Sequence, residues 1–140
     1  YPEKHYEAMN LESDMQHLKH KIDEGADFII TQMFFRFESF RNFVEKARSI
    51  GIQVPIIPGI KPIINERFLK LIPRSFFIDI PAEFTNAMSA ARTSKQELEI
   101  GTAYVAKLTQ QLLDYGVPGI HLFTMGKGRS SRLLLKRIFE

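Results

Sequence analysis

The run Ala26-Asp27-Phe28-Ile29-Ile30-Thr31-Gln32-Met33-Phe34-Phe35 carries an apolar strand into a polar Thr-Gln tip and then an aromatic loop. Nothing else in the sequence restricts the fold as much. Strands of a parallel sheet buried on both faces read as short continuous apolar runs, and ligand groups emerge at their carboxyl ends. Gln32 therefore stands where an α/β protein presents a substrate-binding amide. The plainer alternative, that Gln32 only closes a core strand, stays open on this segment alone.

The flanking pattern is that of repeated β/α units. Leu11, Met15, Leu18 and Ile22 recur at helical spacing and predict a helix over 11–24, with Gly25 as its stop. After strand 28–32, Phe40, Phe43, Val44 and Ala47 mark the inward face of a helix over 38–50 that Gly51 closes. A strand over 55–60 follows, then a Lys-Pro corner and a short helix over 65–72, with Asn65 as N-cap and Pro73 as terminator. The segment 74–81 reads as extended, and Pro81 opens a helix over 82–91. The longest helix, 95–115, takes Thr93 or Ser94 as cap, buries Leu98, Tyr104, Val105, Leu108, Leu112 and Leu113, and stops at Gly116. A third strand over 120–124 and a helix over 130–139 complete the chain. Strands this far apart suit right-handed parallel crossovers and exclude hairpins, so the expectation is one domain with three parallel strands.

At 140 residues and 44% hydrophobic content the chain can bury a core of its own. It has no cysteine, which excludes disulfides and thiolate metal sites, and no apolar run near the ~18 residues of a membrane span. A soluble cytoplasmic protein is expected. The net charge of +3 is small. The basic cluster Lys127, Arg129, Arg132, Lys136 and Arg137 reads as a solvated helix face, so no nucleic-acid partner is expected. The sequence begins at Tyr1 with no initiator Met and no signal-peptide pattern, which leads to the expectation of a piece of something longer.

Asp14, His17 and Lys21 lie at i, i+3 and i+7, which puts them on one stripe beside the apolar face of the first helix. On spacing alone they form either a polar wall of a site or a solvated face. His17 and His20 lack a third ligand, so no metal site is expected, and His121 reads as a core histidine within an apolar strand. No nucleophile elbow and no dinucleotide fingerprint is present. Gly126-Lys127-Gly128 most simply lets the chain turn into the last helix, although a helix N-terminus with Lys127 and Arg129 also suits an anion.

The order Tyr1-Pro2-Glu3-Lys4-His5, the 26–35 run, Pro55-Ile56-Ile57-Pro58-Gly59-Ile60, Leu71-Ile72-Pro73-Arg74-Ser75-Phe76, Ile78-Asp79-Ile80-Pro81 and Gly116-Val117-Pro118-Gly119-Ile120-His121-Leu122-Phe123-Thr124-Met125-Gly126-Lys127 resembles the methylenetetrahydrofolate reductases. That resemblance covers nearly the whole chain. It implies an α/β fold whose parallel β/α units form the second half of a TIM-type (β/α)8 barrel, since a complete barrel takes about 250 residues. It further implies part of a flavoprotein that reduces 5,10-methylenetetrahydrofolate to 5-methyltetrahydrofolate with NAD(P)H through FAD, feeding methionine synthesis. The implied partners are a folate substrate, an N-terminal half of the barrel and a further copy of the chain in an oligomer.

By the same resemblance, Tyr1, His5, Ala8, Asp14, His17, His20 and Lys21 line the flavin. A lysine and imidazoles suit a pyrophosphate, a carboxylate accepts ribose hydroxyls, and a tyrosine covers a ring. Gln32 binds folate and meets the nicotinamide donor, because an amide offers donors and an acceptor without charge. Phe34, Phe35 and Phe37 read as loop and core packing rather than a stacking platform. Three residues, in two segments, depart from the enterobacterial pattern. Phe68 and Ile72 stand where a Gln and a Phe are familiar, and Lys127 stands where an Arg would fork onto a folate carboxylate. Phe68 and Lys127 remain candidates for substrate binding. The general acid and the acidic residue near the flavin belong to the start of the barrel, so no catalytic acid is expected here and the chain alone is expected to be inactive. A noncatalytic flavin- or folate-binding module, or a pure assembly half, is the alternative.

Overall fold

The computed structural model describes residues 1–4, 7–126 and 128–140. Helix α1 (Leu11–Asp23) leads to strand β1 (Ile29–Met33), then α2 (Phe37–Ser49), β2 (Ile56–Ile60), α3 (Glu66–Ser75), α4 (Ala82–Ala90), α5 (Ser94–Tyr115), β3 (His121–Leu122) and α6 (Gly128–Phe139). The strands make one parallel sheet in the order β1-β2-β3, joined through helices as the spacing predicts. Ile29 faces Ile56 and Ile30 faces Ile57, while Gly59 and Ile60 face His121 and Leu122.

The helices start where short polar side chains capture free backbone amides. Asn10 accepts from the Ser13 N–H at 2.8 Å, Asn65 from Phe68 at 2.8 Å, and Thr93 from Gln96 at 3.2 Å. Each such cap contributes about 1 kcal/mol. At the far end of α5, Gly116 adopts φ 85°, the left-handed conformation that closes a helix without a Cβ clash.

One face of the sheet is packed. Ile29, Thr31 and Met33 are buried, as are Phe40, Phe43 and Ala47 of α2 and Val105, Leu108 and Leu112 of α5. The aromatic loop after β1 belongs to this core: Phe34 stacks on Phe40 with centroids 5.3 Å apart, and Phe35 lies 5.9 Å from Phe84. Phe84 in turn stacks on Tyr104 at 3.9 Å, and the Tyr104 hydroxyl donates to the Phe35 carbonyl at 3.0 Å. Each buried phenylalanine is worth roughly 1.5–3 kcal/mol, so the loop is held by packing, as its composition implied. Helix α5 approaches closely because position 101 is glycine: a Cβ there would stand 2.1 Å from the Ile63 carbonyl oxygen.

Several boundaries differ from the sequence expectation. β1 is shifted by one residue, because Ile29 rather than Phe28 makes the first ladder bond, its N–H donating to Pro55 O at 2.8 Å, and Phe28 is left 53% exposed. Ile30 is 44% exposed, so among the described residues β1 is covered on one face only, not on both. α3 continues through Pro73 to Ser75. The missing proline N–H falls in the last turn, where one lost bond is offset by burial of Leu69 and Ile72 and by Phe76 N–H donating to Ile72 O at 2.9 Å. The segment expected to be extended from 74 therefore begins at Phe76. The ladder of β3 covers only His121 and Leu122, and α6 starts at Gly128 rather than Ser130. Leu11 is exposed, since it sits in the first turn of α1 and only Met15 on that helix is fully buried.

Candidate functional site

The carboxyl end of β1 is irregular, and this irregularity positions Gln32. The β1–β2 register slips between Ile30 and Met33. There the Thr31 hydroxyl replaces a ladder bond: it accepts from the Gly59 N–H at 3.0 Å and donates to the Gln32 carbonyl at 2.9 Å. Thr31 is buried. Replacing it with valine strands the Gly59 N–H, which costs about 1–3 kcal/mol, whereas serine retains most of the stability. Chemical denaturation of both variants checks this, and equal midpoints for valine and serine would count against the hydroxyl bridge.

The Gln32 side-chain oxygen accepts from the Met33 N–H at 3.0 Å. Its NH2 is thus the end available to a ligand in the cavity of ≈ 300 Å³ that Gln32 lines with Lys61, Phe68, Phe123 and Met125. On the other flank of β1, beside Ile29, Ile30 and Thr31, a smaller cavity of ≈ 160 Å³ is lined by Tyr1, Asp14, His17 and Lys21. The stripe of α1 and the first residue of the chain do come together.

His20 does not join them: it is exposed, 4.0 Å from Glu24 across one helical turn. Ala8 stands outside this cavity, its carbonyl accepting from the Lys4 ammonium at 2.7 Å. His5 and Lys127 lie outside the described residues. His121 is half-buried rather than a full core residue, its ring edge-on to Phe123 at 4.6 Å. Among the described residues no group of three or more His, Cys, Asp or Glu is placed to hold a metal ion, and no helix is long and apolar enough to cross a membrane.

The family model for methylenetetrahydrofolate reductase matches residues 1–138. The chain belongs to this family. It is 38% identical over 140 residues to a probable methylenetetrahydrofolate reductase (NADPH) of Caenorhabditis elegans, across 99% of this chain and 21% of that protein. A methylenetetrahydrofolate reductase (NADH) of Arabidopsis thaliana is 32% identical over 94% of this chain and 24% of its own length. The 5,10-methylenetetrahydrofolate reductase of Pectobacterium carotovorum is 32% identical over 94% of this chain and 44% of its own. The chain thus spans less than half of these reductases. A solved structure from Clostridium thermocellum, described as binding two copies of 5-methyl-5,6,7,8-tetrahydrofolic acid, superposes with a TM-score of 0.58 at 18% identity. It covers 91% of this chain and 47% of that one, a likeness of fold.

Within this reductase-family chain, the residue that sequence reasoning missed is Lys61. It follows the last residue of β2, is only 7% exposed, donates to the Phe123 carbonyl at 3.2 Å, and holds its ammonium 4.7 Å over the Phe68 ring. The signal was present as a lysine directly after a strand, the position at which ligand groups emerge, but it read as a Lys-Pro corner. Phe68 accordingly offers one face to Lys61 as well as lining the cavity. The turn after β3 places Met125 at the cavity rim with φ 50°, a left-handed conformation uncommon outside glycine.

Proposed function

We propose that this chain forms part of a flavoprotein oxidoreductase that reduces 5,10-methylenetetrahydrofolate to 5-methyltetrahydrofolate, with NAD(P)H as hydride donor, and so feeds methionine synthesis. The observation that carries this reading is that Gln32, in a reductase-family chain, lines an apolar cavity at the carboxyl end of β1, while a second cavity beside the same strand gathers Tyr1, Asp14, His17 and Lys21. Four side chains of that second cavity suit the pyrophosphate and ribose of FAD by their donor set. Lys21 provides positive charge and, with His17, N–H donors for a pyrophosphate, Asp14 accepts from ribose hydroxyls, and Tyr1 offers a ring face. Bound FAD supplies the hydride relay between the nicotinamide donor and the folate.

The chain's own residues then bind and orient. The Gln32 NH2 donates to an oxygen of whichever ring lies in its cavity, and a neutral amide serves the pterin and the nicotinamide carboxamide equally. Phe68, Phe123 and Met125 exclude water from that ring. His5, His20, Ala8 and Lys127 remain members of the proposed site through the family resemblance alone. In this reading the proton needed as the methylene bridge opens comes from an N-terminal half of a (β/α)8 barrel. The open edges at β1 and β3 and the exposed Phe28 and Ile30 support such a complement.

Replacing Gln32 with leucine removes the amide and keeps the bulk. It is expected to lower kcat/KM for the folate by roughly 10- to 100-fold, the worth of one or two lost hydrogen bonds, and to leave flavin affinity within about twofold. Equal loss of both would count against the assignment. Flavin titration of this chain, with and without the N-terminal half, tests the wider reading. Fluorescence quenching and reductase activity only with both halves support the split barrel; tight flavin binding by this chain alone favours a self-sufficient binding module.

A further inference from the structure

We propose that Lys61 is a specificity-determining cation that receives a carboxylate from the glutamate tail of the folate; this rests on the folate reading above. Lys61 stands on the wall shared by two cavities. The first, with Gln32, is lined by apolar and aromatic side chains that suit a flat ring. The second, of ≈ 250 Å³, adds Pro62, Ile64, Asn65, Arg67, Thr124 and Ser130. The residues lining the two cavities include Lys61 and Arg67 but no aspartate or glutamate. An apolar slot that continues past a lysine into a mixed groove carrying Arg67 and three neutral polar side chains matches a ligand with an aromatic head and an anionic tail, which is the chemistry of a folate.

The ammonium is aimed rather than free to wander. Donation to the Phe123 carbonyl at 3.2 Å and the contact 4.7 Å over Phe68 hold it across the gap between the ends of β2 and β3. The backbone of Phe68, on the first turn of α3, is held by the Asn65 cap. A carboxylate reaching this point gains a charge-assisted hydrogen bond in a partly dry setting, where such bonds are strongest. Neutral rings in the first cavity gain little from the charge. Lys61 therefore affects selection for the tail far more than binding of the head. The phosphates of the nicotinamide donor are the other anions that a lysine here would attract, and the test separates the two.

Calorimetric titration of the chain assembled with the N-terminal half and loaded with flavin compares 5-methyltetrahydrofolate, the corresponding tetrahydropteroyl amide that lacks the glutamate, and NAD(P)H. Wild type is expected to bind the glutamate-bearing folate roughly tenfold or more tightly than the amide. Lys61→Met, or Lys61→Gln should the first fail to fold, lowers that ratio at least about threefold, with Arg67 and Lys127 accounting for what remains; Lys61→Arg keeps most of it. Binding of the amide and of NAD(P)H changes less than about twofold. A wild-type ratio near one overturns the proposal, and so does a variant that weakens folate and amide equally, the mark of a packing role, or one that weakens only NAD(P)H. Wild type that binds neither folate nor amide removes the folate reading itself and the proposal with it. Variants that retain the tail preference in full remove the Lys61 role alone.

Discussion

Replacing Gly59 with alanine is expected to destabilise the protein by at least about 3 kcal/mol, at the upper end of what overpacking costs, and to displace Gln32. A Cβ at position 59 would stand 2.3 Å from the Thr31 carbonyl oxygen, 2.6 Å from a ring carbon of Phe123 and 3.3 Å from the Gln32 carbonyl carbon. Two of these three neighbours are backbone atoms of β1, and they cannot swing aside as a side-chain tip would. Relief requires β1 and β2 to part at the point where the Gly59 N–H donates to Thr31 and the register already slips. The substitution therefore breaks a buried hydrogen bond and moves the tip that carries the amide. Alanine at Gly119, where nothing lies within 4 Å of the added Cβ, is the control and stays within about 0.5 kcal/mol of wild type. Urea midpoints report the first effect, and folate affinity measured below the unfolding transition reports the second. A Gly59→Ala midpoint close to that of Gly119→Ala would mean that the two strands are less tightly apposed than described.

The order and type of the helices and strands were legible because each depends on local chemistry. Asn65 and Thr93 announce their helices through side-chain capture of backbone amides, and Gly116 ends α5 through a φ that other residues resist. Where tertiary contacts outweighed a local signal, the boundary moved. Pro73 should stop α3, yet the burial of Leu69 and Ile72 carries the helix past it. Phe28 has every local reason to be in a strand, but its neighbour Ile29 makes the first bond to the Pro55 segment. The candidate site divides in the same way. The periodicity of α1 put Asp14, His17 and Lys21 on one stripe, and they share one cavity with Tyr1. His20 is displaced around the helix by the same periodicity and points to Glu24 instead. Lys61 was not legible, because its partners, Phe68 and the Phe123 carbonyl, are 7 and 62 positions away along the chain and meet it only when β2, β3 and α3 assemble.

A further expected result concerns pH. Glu3 is held with both carboxyl oxygens out of solvent and, among the described residues, without a hydrogen-bond partner of good geometry. Burial raises its pKa from 4.5 to about 7, outweighing the pull of nearby backbone amides toward the charged form. Between those two values the folded protein retains a proton that the unfolded chain has released. Stability from this group is therefore fully present below pH 4.5, declines as pH rises through the interval, and is lost above about 7. A shift of this size corresponds to about 3 kcal/mol. Glu3→Gln keeps the shape and never ionises, so it is expected to flatten this part of the pH dependence. It is also expected to be more stable than wild type at pH 8 by up to that amount while matching it near pH 4.5. Denaturant titrations of both proteins across this range decide the matter: parallel stability curves would show that the Glu3 carboxyl is solvated when folded, and converging curves at low pH would show that it is buried as a neutral acid.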